Sequence, residues 1–408
     1  MKGGREMLPF DIIEYQNRIS KTKQRMAESG IDVLLITDPA NMNDLSGYDA
    51  WSFYVHQMLV IIIDEPQPIW IGRYQDANGA KAKTWIYDEN IIPYPDYYVQ
   101  SNIYHPMDFV AEILKQIGQG NRYIGVEMDN YYFTAKAYER LKQNLPNATF
   151  KDADLLVNYV RIIKSEQEIE YMKRAAKIAD HAMQKGIDSI HVGKRENDAA
   201  AQIYNQLIMG TGEFGGDYPS IVPLLPSGEN TSAPHVTWTE RPFKEGEAVI
   251  VELAGCYKRY HVPLARTVSI GKPSAKLTKL APIVIEGVNE VLNAVKPGLT
   301  CGEIENVWRK SLRKYGLEKE ARLGYSVGLN YPPDWGEHTA SLRIGDPTIL
   351  KPNMTFHFIP ALWFDNYGIE ISETFRVTNT GCETFCDFPR ELIVQEPYNL
   401  GHHDGKIS

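Results

Sequence analysis

Several carboxylates and two histidines are placed where acid–base chemistry could use them. Glu252 follows the apolar run Val249-Ile-Val251 and precedes Leu253, surroundings that argue against a solvated strand-edge charge. Glu337 follows the turn-like Pro332-Pro-Asp-Trp335. Glu370 and Glu373 are three apart in a strand-like block, and alternation along a regular strand turns at most one of them toward a given side. His235 follows Ser232-Ala-Pro234, and His261 lies in the strand-like stretch after Tyr260. Carboxylates and imidazoles act as general acids and bases, and carboxylates also hold cations. Tyr48, Trp51, Phe53 and Tyr54 crowd one short segment. Aromatic faces attract organic cations by about 0.5–2 kcal/mol each, although such a cluster taken alone is more often core. Asp217, in Gly215-Gly-Asp-Tyr218, is a further pocket candidate, and Arg73 and Lys258-Arg259 could meet a carboxylate or be solvated charges.

The four cysteines form no metal pattern. Cys382 and Cys386 are four apart, but no second Cys or His pair completes a zinc site. They read as reduced thiols of a cytosolic protein.

Elements must position these groups, and 408 residues suffice for two or three domains. Hydrophobic residues at 43% and charged residues at 23% are ordinary for a globular chain. A net charge of −9 lacks the basic field that nucleic acid requires. The run Met58-Leu-Val-Ile-Ile-Ile63 is far shorter than a membrane helix. Lys2 and Arg5 lead directly into Pro9-Phe-Asp with no apolar segment, so export is not expected.

The first third alternates helical and strand patterns. Residues 11–29 read as an amphipathic helix closed by Gly30, and Asp32-Val-Leu-Leu-Ile-Thr37 as a buried strand before the Asp38-Pro39 turn. Strand runs recur at 56–63, 69–72 and 122–127, with a helix near 106–117, which implies an α/β layer domain. Ser165-Glu-Gln-Glu168 is a capping box opening a long helix, so the boundary is placed near 160. Beyond it, helices at about 166–188, 195–209, 277–296 and 302–315 mix with strands near 247–255, 260–270, 354–363 and 369–378, an α+β arrangement. Residues 1–160, 161–398 and a polar tail 399–408 are the expected divisions.

The second part resembles the creatinase/aminopeptidase P family, whose catalytic domain has the pita-bread fold. The likeness lies in Arg161-Ile-Ile-Lys-Ser165 with Glu168, Pro242-Phe-Lys-Glu-Gly-Glu247, Val251-Glu-Leu-Ala-Gly255, Ala265-Arg-Thr267, Gly324-Tyr-Ser-Val-Gly328, Leu350-Lys-Pro-Asn-Met354 and Ile371-Ser-Glu-Thr-Phe-Arg-Val-Thr378. It implies an α+β pita-bread catalytic domain behind a smaller α/β creatinase-type N-terminal domain. Metal-dependent members hold two metals with two Asp, one His and two Glu. The matching positions here read Glu252, Pro263, Tyr325, Ile359 and Ser372, with Glu373 beside the last. Proline and isoleucine cannot coordinate a hard cation, so no metal and no cofactor are expected.

Within the family the ectoine hydrolase branch is the nearer likeness. Gly215-Gly-Asp-Tyr-Pro-Ser-Ile-Val-Pro-Leu-Leu-Pro-Ser-Gly228, Ala254-Gly-Cys-Tyr257-Lys-Arg-Tyr-His261, Tyr331-Pro-Pro-Asp-Trp-Gly-Glu337 and Gly47-Tyr-Asp-Ala-Trp-Ser-Phe-Tyr-Val-His-Gln57 carry it. That implies hydrolytic opening of a cyclic amidine, ectoine or its 5-hydroxy derivative, to an N-acetyl-diaminobutyrate. An amidinium carbon is already electrophilic, so a metal is dispensable. By position, Glu252 would pair with the cation or attack its central carbon, His235 would serve as base or acid, and His261 would orient Glu252, shuttle a proton, or simply pack. Glu337, Glu370 or Glu373 would meet the cation, with Glu373 slightly favoured, and Tyr257, Tyr325 and Asp217 would line the pocket. Tyr325 could equally fill space. The resemblance further implies a cytoplasmic homodimer whose aromatic segment reaches the neighbouring subunit's pocket, and a deacetylase to consume the product. The rivals are a creatinase-like amidinohydrolase, a divergent Xaa-Pro peptidase, and a non-enzymatic binding module.

Overall fold

Helix α1 (Ile12–Ser29) buries Tyr15, Ile19, Thr22 and Met26, the single stripe that a 3.6-residue period produces. Gly30 ends it at φ 62°, and the Gly30 N–H bonds back to the Ala27 carbonyl. The fully buried β1 (Val33–Ile36) follows. Asp38 then caps α2 (Pro39–Ser46), accepting from the Ala40 and Asn41 amides with Pro39 in the first turn. This computed structural model describes residues 8–397. Lys2, Arg5 and the expected tail at 399–408 lie outside the described residues.

The first unit continues through β2 (Met58–Ile62), β3 (Ile69–Arg73), α3 (Ala77–Lys83), β4 (Ile91–Tyr94), α4 (Pro106–Gln116), β5 (Tyr123–Val126), α5 (Ala135–Asn144), β6 (Thr149–Asp152) and α6 (Asn158–Arg161). Its six strands form one mixed sheet in the order β4-β3-β2-β1-β5-β6. Val33, Leu35 and Val126 of the sheet pack with Val110 and Leu114 of α4 and Leu141 of α5. The sequence reading missed α5, which buries only Ala137 and Leu141, too few anchors for a clear period. One compact unit ends at Arg161 and the other begins at Ile162.

In the second unit Ser165 and Glu168 make a reciprocal capping box that starts α7 (Glu166–Asp188). Helix α8 (Glu196–Met209) and the hairpin β7 (Ala248–Tyr257) and β8 (Tyr260–Ile270) follow. At Gly255 a Cβ would fall 1.9 Å from the Ala175 carbonyl oxygen of α7, so only glycine lets helix and strand approach this closely. Lys258 and Arg259, at φ 51° and 67°, are the two left-handed residues of the hairpin turn.

The remaining elements are α9 (Ala275–Ala294), α10 (Cys301–Arg313), β9 (Gly324–Val327), β10 (Gly336–Leu342), β11 (Thr355–Phe358), β12 (Ala361–Phe364), β13 (Tyr367–Glu370), β14 (Glu373–Val377), β15 (Cys382–Thr384) and β16 (Ile393–Gln395). They complete a five-stranded sheet, β10-β9-β11-β14-β15, the ribbon β12-β13, and a third sheet, β16-β8-β7. Val284, Val288, Trp308 and Leu312 of α9 and α10 share one core with Phe356, Phe358 and Phe375 of the five-stranded sheet.

The strands expected at 354–363 and 369–378 are each broken. The first breaks at Ile359-Pro360 and the second at Ile371-Ser372. Pro360 has no N–H to continue a ladder. The fragments on either side pair in different sheets, His357 with Thr374 and Ala361 with Glu370. These breaks lie beside the candidate site.

Candidate active site

The β7–β8 register fixes one wall. Glu252 is opposite Ala265, Ala254 opposite Pro263, and Cys256 opposite His261, so Glu252, Pro263 and His261 share a face of the ribbon. Glu252 is buried and its carboxylate has no hydrogen bond among the described residues. Burial raises its proton affinity well above the carboxylate range, and the Glu370 charge adds to this. Glu370, at the end of β13, is also buried, and its Oε1 has no hydrogen-bond partner among the described residues. Burial pushes its pKa up while the Lys319 charge opposes. Lys319 donates to the Ile359 carbonyl at 2.5 Å, and burial lowers its ammonium pKa to about 8.

Tyr325 closes a second side. It is opposite His357 in the β9–β11 register, and its hydroxyl accepts from Trp335 Nε1 at 2.7 Å. Burial first, then the Glu252 charge, raises the phenol pKa further. His357 Nδ1 is 3.2 Å from the Tyr325 hydroxyl and His357 Nε2 is 3.0 Å from Ser372 Oγ. Burial holds this imidazole neutral, with a pKa of about 3.

Glu252 thus feels the charge of Glu370, and Tyr325 that of Glu252, while other candidates are held elsewhere. Glu337 makes a fully buried ion pair with Lys164, with Nζ–O distances of 2.7 and 2.8 Å. Glu373, slightly favoured by sequence, lies on β14, past the break that ends β13, and faces Arg266 at 2.6 Å and Arg390 at 3.2 Å. His261 does not orient Glu252. Its Nε2 accepts from the Ser220 amide at 2.9 Å, and burial lowers its pKa to about 3. His235 is exposed and makes no hydrogen bond among the described residues. Asp217 accepts from the Arg259 amide and pairs with its guanidinium at 3.8 Å, which steadies the hairpin turn. Tyr257 accepts from Arg174 at 2.8 Å and packs edge-on against Phe214 and tilted against Tyr171.

In the first unit, Tyr48 is buried against Trp70 with ring centroids 5.5 Å apart. Trp51 packs tilted against Phe53, with ring centroids 4.8 Å apart, yet remains 56% exposed. Tyr54 is exposed and accepts from Arg73 at 3.0 Å, while Arg73 also pairs with Asp76. The sequence reading missed His357 and Lys319. A signal for His357 existed: it alternates with the core residues Phe356 and Phe358, which puts it on the opposite face.

Residues 170–379 match the model of metallopeptidase family M24, and residues 18–163 match that of the creatinase/prolidase N-terminal domain. The chain belongs to metallopeptidase family M24. An ectoine hydrolase of Halomonas elongata is 48% identical over 395 residues, 95% of this chain and 99% of that protein. A Xaa-Pro dipeptidase of Pyrococcus furiosus is 26% identical over 93% of this chain and 100% of its own length. The crystal structure of an X-Pro aminopeptidase from Thermotoga maritima matches with a TM-score of 0.78 at 22% identity, covering 92% of this chain and 99% of that one. The fold is thus the α+β pita-bread domain of the M24 family, preceded in the chain by a smaller α/β creatinase-type domain.

The family name implies metal, and the donor set here does not fit one. Pro263 and Ile359 offer no side-chain donor, and the Tyr325 and Ser372 hydroxyls are engaged by Trp335 and His357. Among the described residues no three His, Cys, Asp or Glu side chains converge to hold an ion. A divalent pair needs several oxygen or imidazole ligands, and of the five positions only Glu252 supplies a carboxylate. Among the described residues no helix is long and apolar enough to cross a membrane.

Proposed function

We propose that this chain hydrolyses ectoine, opening its cyclic amidinium to N-acetyl-L-2,4-diaminobutyrate without a metal. The observation that carries the reading is the near full-length 48% identity to an ectoine hydrolase. The buried Glu252–Glu370 pair fits that substrate. Two carboxylates in a low-dielectric site repel one another and retain a proton, and a bound amidinium relieves this by giving each an N–H and a positive charge.

With the cation held, Glu252 or Glu370 takes a proton from water as its oxygen bonds to the amidine carbon. The carbon–nitrogen bond then breaks, its electron pair stays on nitrogen, and that nitrogen receives both the carboxyl proton and the proton left on the added oxygen. Amidinium and water become amide and ammonium, so charge and protons balance. Direct attack by Glu252, followed by water, reaches the same product. Trp51 and Tyr54 offer exposed aromatic faces to the cation from the neighbouring subunit of a homodimer. The enzyme works in the cytoplasm, and a deacetylase consumes the product.

The test is a substrate panel of ectoine, 5-hydroxyectoine, creatine and a Xaa-Pro dipeptide with purified protein, followed by proton NMR. Turnover of ectoine is expected, and the acetyl-product peaks identify the departing nitrogen. Turnover of creatine or the dipeptide with ectoine intact would contradict the reading.

A further inference from the structure

We infer that Tyr325 is the hydrogen-bond donor to the oxygen that adds to the substrate carbon, and that His357, set by Ser372, is the positioning residue that aims it. The substrate role rests on the ectoine reading; the wiring does not.

Hydrogen counting carries the argument. Trp335 Nε1 is a donor only and takes one lone pair of the Tyr325 hydroxyl. A neutral His357 has one N–H and one acceptor nitrogen, so two arrangements exist. With the hydrogen on Nε2, His357 would donate to Ser372, and Tyr325 would turn its O–H back onto Nδ1. The fully buried Ser372 hydroxyl would then keep a hydrogen with no further partner among the described residues, at a cost of about 1–3 kcal/mol.

With the hydrogen on Nδ1, Ser372 donates to Nε2 and Nδ1 donates to Tyr325. Trp335, His357 and Ser372 are all buried, and every hydrogen they carry is then paired. Tyr325 accepts twice, and the one hydrogen left over is its own. Tyr325 is also the only half-buried member of the chain, and it feels the Glu252 charge. Its O–H therefore faces the site that Glu252 lines.

A donor there has a clear task. As water loses its proton and bonds to the amidine carbon, its oxygen gathers negative charge. A fixed O–H stabilises that charge, and such donors are worth about 10²–10³ in rate. Tyr325 keeps its proton throughout. Tyr325 and Ser372 here form the two ends of a hydrogen-bond wire through His357.

Two measurements test this. In wild-type protein labelled with 15N-histidine, the His357 resonances, assigned by their loss in H357N, should report a protonated Nδ1 and a bare Nε2. In ectoine turnover, Y325F should lose about 10²-fold in kcat with KM little changed, as for a group that acts in the transition state. H357L should lose a similar factor, and the Y325F/H357L double variant should lose no more than either alone. H357N, whose amide can still donate to Tyr325, should recover most of kcat. A protonated Nε2, or losses that multiply in the double variant, would overturn the wiring while wild-type turnover leaves the functional reading intact. Ectoine left untouched by wild-type protein would overturn the functional reading and Tyr325's role with it, whatever the tautomer.

Discussion

Glu252 and Glu370 are two buried carboxylates, the charge of Glu370 bearing on Glu252, and neither side chain accepts a hydrogen bond from any described residue. The charge of Glu370 raises the proton affinity of Glu252, which burial has already pushed up. Such a pair is poor as structure and good as a receptor for a cation with two N–H groups. E252Q and E370Q should each lower kcat/KM for ectoine by at least about 10²-fold. E370Q should melt no lower than wild type, and higher by up to about 1 kcal/mol of stability, because it removes a buried repulsion. Turnover assays and thermal melts check both halves. Activity retained with lost stability would mean that the pair is structural.

The pH dependence has a definite sign. Both carboxyls bind protons more tightly folded than unfolded, where an ordinary glutamate titrates near about 4.3. Above that value, and up to the raised folded values, the native state holds the extra protons. Free-enzyme stability from these groups is therefore lost as pH rises through that window. The melting-temperature advantage of E370Q over wild type should grow from about pH 5 to about pH 7.5. In the same range kcat/KM should fall toward acid, because a protonated pair cannot hold the cation. An advantage that shrinks with rising pH would contradict the assignment.

Glu337 and Glu373 behave differently because each already has a cation. Lys164 holds Glu337 and Arg266 holds Glu373, all four side chains being essentially inaccessible to solvent. Removing one partner of a buried pair costs about 3–5 kcal/mol, since it strands the other charge. E337Q and E373Q should unfold at markedly lower denaturant, with KM for ectoine little changed in the protein that remains folded. The double variant K164M/E337L should regain much of the loss. Unchanged denaturation midpoints with lost turnover would return these residues to the catalytic set.

These assignments show where sequence reasoning reaches and where it stops. Glu252 was legible because its apolar neighbours form a regular strand and the family blocks fix its place. Parity along one regular strand separates Glu370 from Glu373, but the strand breaks between them, and the choice between them depends on Arg266, which is 107 residues from Glu373. Lys164 lies 173 residues from Glu337, and no local pattern links them. The broken strands at Pro360 and Ser372 read as continuous because each half keeps strand-like alternation, and only the sheet partners reveal the switch. His357 was within reach of the alternation argument, yet its partners Tyr325 and Ser372 come from two other segments.

Gly255 tests how the site wall is held. The Ala175 carbonyl of α7 occupies the space a side chain would need. G255A should destabilise by about 1–3 kcal/mol as helix and hairpin separate, and should lower ectoine turnover because Glu252 is on the same strand. Chemical denaturation reads the first effect. A neutral substitution would show that α7 can shift at no cost.

The most direct test of the account is the rate of ectoine loss with chelator-treated enzyme, with and without added manganese, beside E252Q treated in the same way. Wild type is expected to convert ectoine to N-acetyl-diaminobutyrate at a rate that neither chelator nor manganese changes, and E252Q to be slower by at least about 10²-fold. Turnover that appears only after manganese is restored, or that survives in E252Q, would contradict a metal-free site built on the Glu252–Glu370 pair.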